Sequence, residues 1–119
     1  MAQKFLPFVV AVSLSVIVLF TPESGVPSSP PGTDKIVHCA LFALLAWTGL
    51  RAASSRVLAR RVLGGLVGYA VLSEVLQELI VPLHRSGDPL DALTDVVGIG
   101  LGWAVCTLLA RRATARASR

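Results

Sequence analysis

The residues best able to do chemistry fall in two short strings. The first holds Asp34, Lys35 and His38, with Asp34 and His38 four apart and so on one face of a helix. The second holds Glu74, Gln77 and Glu78, then Arg85, then Asp88, Asp91 and Asp95. The last three are spaced i, i+3 and i+7, again one helical face. A carboxylate beside an imidazole in a poorly solvated place is raw material for general acid–base work. Lys35, His38 and Arg85 offer the charge and donors that suit a phosphate or a carboxylate.

Other chemistries find less support. His38 with Glu74 and Asp91 or Asp95 has ligand types that suit a metal, but no tight pair such as HxxxH or CxxC accompanies them. No metal and no cofactor is therefore assigned, and no nucleophile motif is present. His84, between two prolines and a glycine, reads as an exposed turn residue. Cys39 and Cys106 fall at different depths of their helices, too far apart for a disulfide.

The elements that carry these residues are set by lipid. Of 119 residues, 54% are hydrophobic and 15% charged, and mean hydropathy is +0.72. A soluble domain of this length cannot bury so much apolar surface. Four apolar stretches stand out, at about 5–20, 36–50, 62–83 and 90–110. At 1.5 Å per residue they span about 23 to 33 Å, near the thickness of a hydrocarbon core. The expected fold is all-α, a bundle of four transmembrane helices forming one domain over residues 1–119. Pro7 falls in the opening turn of the first helix, where it is tolerated. That first stretch has an apolar core of about 16 residues and no clean small-x-small site, so it reads as an uncleaved helix. The connection at 21–33, rich in Pro, Ser and Gly, reads as extended. Residues 52–61 read as a short basic loop, 81–90 as a tight turn, and 111–119 as a basic tail with a frayed end.

Charge sets the orientation. Lys4, Arg51, Arg56, Arg60, Arg61, Arg111, Arg112, Arg116 and Arg119 all fall on one side of a four-span chain. By the positive-inside rule that side is the cytoplasm, with both termini there, in a multi-pass protein of the cytoplasmic (inner) membrane. The pI near 9.8 thus reflects topology, and no nucleic-acid partner is implied. The seven acidic residues lie in the outer loops or the outer halves of helices. The polar faces of helices two, three and four are therefore expected to meet at one depth near the outer surface. Glu74 is the deepest; at mid-helix a carboxylate costs at least about 2.5 to 3.5 kcal/mol on insertion scales, so it must face the bundle interior. Gly98 and Gly102 continue the helix-four face at i+3 and i+7 from Asp95, and with Gly64, Gly65 and Gly68 they supply GxxxG packing signals.

The string DKIVHCALFALLAW, with Asp34, Lys35, His38 and Phe42, resembles the start of the second helix in the VanZ-like family of bacterial membrane proteins. Glu74, Gln77, Arg85, Asp91, Asp95, Gly98 and Gly102 resemble that family's second signature, with Asp95 where the family usually has Asn. The resemblance covers about residues 34–102. It implies a link to glycopeptide-antibiotic (teicoplanin) resistance and so to the cell envelope. The expected function is an accessory membrane protein with an outer polar pocket. Asp34, Lys35, His38, Glu74, Gln77, Arg85, Asp91 and Asp95 would bind a polar lipid or lipid-linked wall-precursor head group there. The alternative is a membrane-embedded enzyme acting on a lipid head group, with Glu74 or His38 as base and Arg85 stabilising negative charge. A proton-coupled small multidrug exporter needs a carboxylate in its first helix, and this one has none. The lipid bilayer is the one partner the composition demands; oligomeric state stays open.

Overall fold

The structure, a computed structural model, describes residues 2–22, 30, 32–80 and 88–119. It is all-helical: α1 (Ala2–Phe20), α2 (Thr33–Ala52), α3 (Arg56–Leu79) and α4 (Pro89–Ala117). All four are long and apolar enough to cross a membrane.

Each helix starts where local chemistry dictates. Gly32 precedes α2 with φ +88°, a left-handed conformation that glycine adopts without strain. The side chain of Ser55 accepts from Leu58 N at 3.1 Å and caps α3. That cap, followed by the good helix formers of RVLARR, starts α3 six residues before the expected position. The basic connection accordingly shrinks from 52–61 to 53–55. Asp88 caps α4 by accepting from Leu90 N at 2.9 Å, with Pro89 in the first helical position. At the far end the basic tail is not frayed. Helix α4 runs on to Ala117, because alanine and arginine propagate a helix and nothing before Ser118 stops it. Helix α1 begins at Ala2, so Pro7 lies inside the helix and not in its first turn. The bond it forfeits is to the Gln3 carbonyl, in the exposed opening turn.

The helices alternate in direction, so α2 and α4 run parallel and form the closest pair. Helix α2 is the hub, with 44% of its span buried against 17–28% for the others. It touches α1, α3 and α4, and α3 also meets α4. Phe42, Leu45 and Ala46 on α2 pack with Leu19, Leu66, Ala70 and Ile99 in the core. Gly98 and Gly102 bring α4 onto the α2 backbone: a Cβ at Gly98 would lie 2.3 Å from the Cys39 carbonyl oxygen. The same atom at Gly102 would lie 2.4 Å from the Ala43 carbonyl oxygen. Gly49 lets Val62 and Phe8 approach α2 towards the other end. The expectation for α3 is corrected. Gly64, Gly65 and Gly68 have nothing within 4 Å of an added Cβ, because the face that α3 turns inward is that of Leu66, Ala70, Ser73 and Gln77. Elsewhere the surface is apolar, with Val10, Ile17, Val71, Leu72, Leu93 and Leu101 exposed. Such an exterior is compatible with contact to lipid acyl chains.

Candidate functional site

At one end of the bundle α1 and α3 finish and α2 and α4 begin, and there the carboxylates gather. The parallel run of α2 and α4 puts Lys35, in the first turn of α2, beside the start of α4. Its ammonium donates to Asp91 Oδ1 at 2.7 Å and to Asp88 Oδ2 at 3.0 Å. Asp88 is the hub of this outer layer. Besides holding Lys35 it caps Leu90, and its own N–H donates to Glu74 Oε2 at 3.1 Å. The Leu90 N–H, and after it the Lys35 ammonium, favour the charged form of Asp88 and hold its carboxyl below the ordinary aspartate value.

One turn deeper lies His38, 2% exposed, against Asp95 of α4 and Glu74 of α3. Nδ1 of His38 is 2.8 Å from Asp95 Oδ1, a hydrogen-bond distance, and 3.7 Å from Glu74 Oε1. On the other side of the ring, Nε2 is 3.8 Å from Asp34 Oδ1. Asp95 is fully buried and Glu74 is 6% exposed. Among the described residues each keeps one buried oxygen without a hydrogen-bond partner, Asp95 Oδ2 and Glu74 Oε1. The layers are graded. Side-chain exposure falls from 62% at Asp34 and 40% at Lys35 to 9% at Asp91 and 0% at Asp95.

The structure thus brings together Asp34, Lys35, His38, Glu74, Asp91 and Asp95. It places Gln77 elsewhere: Nε2 donates to the Leu19 carbonyl at 2.7 Å, satisfying one of the last carbonyls of α1. Gln77 is therefore a tie between α3 and α1. Glu78 is exposed and does not share the buried face of Glu74. Arg85 and His84, and the tight turn expected to hold them, lie outside the described residues, as does most of the connection expected to be extended. Cys39 and Cys106 are free. Trp103 is exposed, while Trp47 is half-buried beneath the Arg51 guanidinium, 5.1 Å from its ring centroid.

Two features escaped the site reading of the sequence. Asp88 was legible only as the first residue of a polar helix-four face, and the fold reveals that it caps α4 and reaches both Lys35 and Glu74. Ser15 and Tyr69 form a part-buried hydroxyl pair at 2.9 Å that joins α1 to α3. No spacing rule connects residues so far apart in the chain.

Charge decides what this arrangement can do. Asp34, Glu74, Asp88, Asp91 and Asp95 face Lys35 and, when it is protonated, His38. Lys35 is engaged by two carboxylates, so a phosphate approaching it must compete with both. Among the described residues the cluster is an acceptor-rich column, open at the rim and dry at the floor. Comparison with protein-family models, with curated proteins and with solved structures returns no match.

Proposed function

We propose that this chain is an accessory protein of the cell envelope, lying in the cytoplasmic membrane with both termini inside. In this reading the carboxylate-rich end opens outward and receives the polar head group of a lipid or lipid-linked wall precursor. The observation that carries it is the graded column. A chain that merely packed four helices would gain little from gathering five carboxylates and a histidine at one end of the bundle, each buried charge being costly in lipid. The orientation is supported by the exposed arginines at the opposite end, on α2, α3 and α4. The likeness of residues 34–102 to the VanZ-like signatures supports the envelope role, since Asp34, Lys35, His38, Glu74, Asp91 and Asp95 of those signatures converge here.

The acceptor-rich rim favours a head group carrying hydroxyls or an amine, which donate to carboxylates. The test is mass spectrometry of the lipids that co-purify with the full chain, set against the bulk membrane. One head-group class is expected to be enriched, and Glu74→Ala or Arg85→Ala to lose that enrichment while still inserting. A lipid profile matching the bulk in wild type would refute the reading.

A second reading, an enzyme acting on a lipid head group, is favoured by the 2.8 Å contact of His38 with Asp95. A carboxylate there can orient the ring for proton transfer. Purified protein that turns over no lipid phosphate, with or without divalent metal, would remove it.

A further inference from the structure

We infer that the floor of the column is a binding site for one divalent transition-metal cation, held by His38, Glu74 and Asp95. One ring nitrogen of His38 and one carboxylate oxygen from each of the other two all lie within 4.8 Å of one another, and Nδ1 is the nitrogen that faces both, at 3.7 Å from Glu74 Oε1 and 2.8 Å from Asp95 Oδ1. The three residues come from α2, α3 and α4, so their positions are set by packing and not by one flexible loop. An imidazole nitrogen with two carboxylates is a ligand set suited to Zn²⁺ or Co²⁺.

The independent sign of a ligand is the pair of orphaned oxygens. Asp95 Oδ2 and Glu74 Oε1 are buried and have no hydrogen-bond partner among the described residues. Buried carboxylate oxygens are normally satisfied, because leaving one bare forfeits its hydration with no return. Glu74 Oε1 is also the atom that faces the His38 ring, so it points into the cluster and not away from it. Charge leads the same way. A protonated His38 can balance only one of the two carboxylates, whereas a divalent ion balances both.

The other group that shares His38, with Asp34 and Asp91, is a weaker candidate. Asp34 is exposed there and Asp91 is already held by Lys35. Asp34 has a different part to play. A cation on Nδ1 requires the ring proton to sit on Nε2, which faces Asp34 at 3.8 Å. A carboxylate behind a metal-bound imidazole orients the ring and raises its basicity.

This inference rests on reading the column as a binding site, but its test needs no lipid ligand, so the two fail separately. The full chain is purified, stripped with a chelator, placed in nanodiscs of a neutral lipid and titrated with Co²⁺, then Zn²⁺. One Co²⁺ per chain is expected, with visible absorption of a nitrogen and oxygen ligand set, no thiolate charge-transfer band, and displacement by Zn²⁺. Glu74→Gln and Asp95→Asn should each weaken Zn²⁺ at least tenfold, and Asp34→Asn less than either, since Asp34 stands beyond hydrogen-bond distance of the ring. Cys106→Ser should change nothing. A wild-type chain that takes up no Co²⁺, or shows a thiolate band, overturns the site even if the variants fail to fold. So does Zn²⁺ affinity unchanged in both carboxylate variants.

Discussion

Substituting Gly98 by alanine adds one methyl group, and the structure says where it must go. The new Cβ would lie 2.3 Å from the Cys39 carbonyl oxygen and 3.1 Å from the Cys39 Cα and carbonyl carbon. These are backbone atoms of α2, so no side-chain rotation relieves the contact. Real Cβ atoms essentially never approach closer than 3.0 Å, so α2 and α4 must part by at least about 0.7 Å, an overpacking that typically costs about 1–3 kcal/mol. The damage reaches the site, because His38 precedes Cys39 and Asp95 lies one turn from Gly98. The 2.8 Å contact between them would stretch to about 3.5 Å, the limit of a hydrogen bond.

Gly100→Ala is the matched control, since nothing lies within 4 Å of a Cβ there. Both substitutions gain the same helix propensity, up to about 1 kcal/mol, so their difference isolates the packing. Reversible unfolding in mixed micelles, followed by circular dichroism, should therefore separate the two variants by about 1–3 kcal/mol with Gly98→Ala the weaker. Equal midpoints would refute the idea that close backbone approach of α2 and α4 holds the site together.

Three further outcomes follow from other contacts. Gln77→Met removes the hydrogen bond to the Leu19 carbonyl and should cost about 1 kcal/mol, seen as an earlier unfolding midpoint. Zn²⁺ affinity should stay unchanged, since Gln77 ties α1 to α3 and does not face His38. Tyr69→Phe deletes the pair with Ser15 and should cost about 0.6 kcal/mol, the average for a hydrogen bond between membrane helices; unfolding in the same micelles measures it. Asp88 supplies a pH dependence whose sign is fixed. Its carboxyl titrates below the unfolded value of 3.8, so its stabilisation is present above that pH and lost as pH falls through the lower folded value. Asp88→Asn should therefore flatten the wild-type decline in unfolding midpoint below about pH 4.

The four helices were legible because apolar runs of membrane length leave few alternatives, and the start of α3 was misjudged for a local reason. Arginines at 56, 60 and 61 look like loop residues when hydropathy alone is read. Ser55 and the helix formers behind it decide otherwise, since long basic side chains can stand on an exposed helical turn. The convergence of Asp34, His38, Glu74, Asp91 and Asp95 was readable from i, i+3, i+4 and i+7 spacings in an antiparallel bundle. Gln77 shows the limit of that method. It lies three residues from Glu74, which leaves it about 60° short of a full turn around the axis, enough to aim its amide at α1. Nor could spacing tell that Lys35 would be matched by two carboxylates, which makes the site acceptor-rich among the described residues where its cations had suggested an anion.

The face of α4 explains how these parts depend on one another. From the rim inward it carries Asp88, Asp91, Asp95, Gly98 and Gly102, and the environment changes along it from part-exposed to dry to backbone contact. Aspartate has a short side chain, so Asp95 reaches His38 only if the two helices lie unusually close at that level. Residues without a Cβ immediately below are what permit this. The glycines therefore act on the chemistry of the site without touching it. A longer carboxylate such as glutamate could bridge a wider gap, but it would hold the imidazole with an extra rotatable bond. The combination found here, a short aspartate on closely packed helices, is what holds Asp95 against His38 to within the tolerance that ligand binding requires.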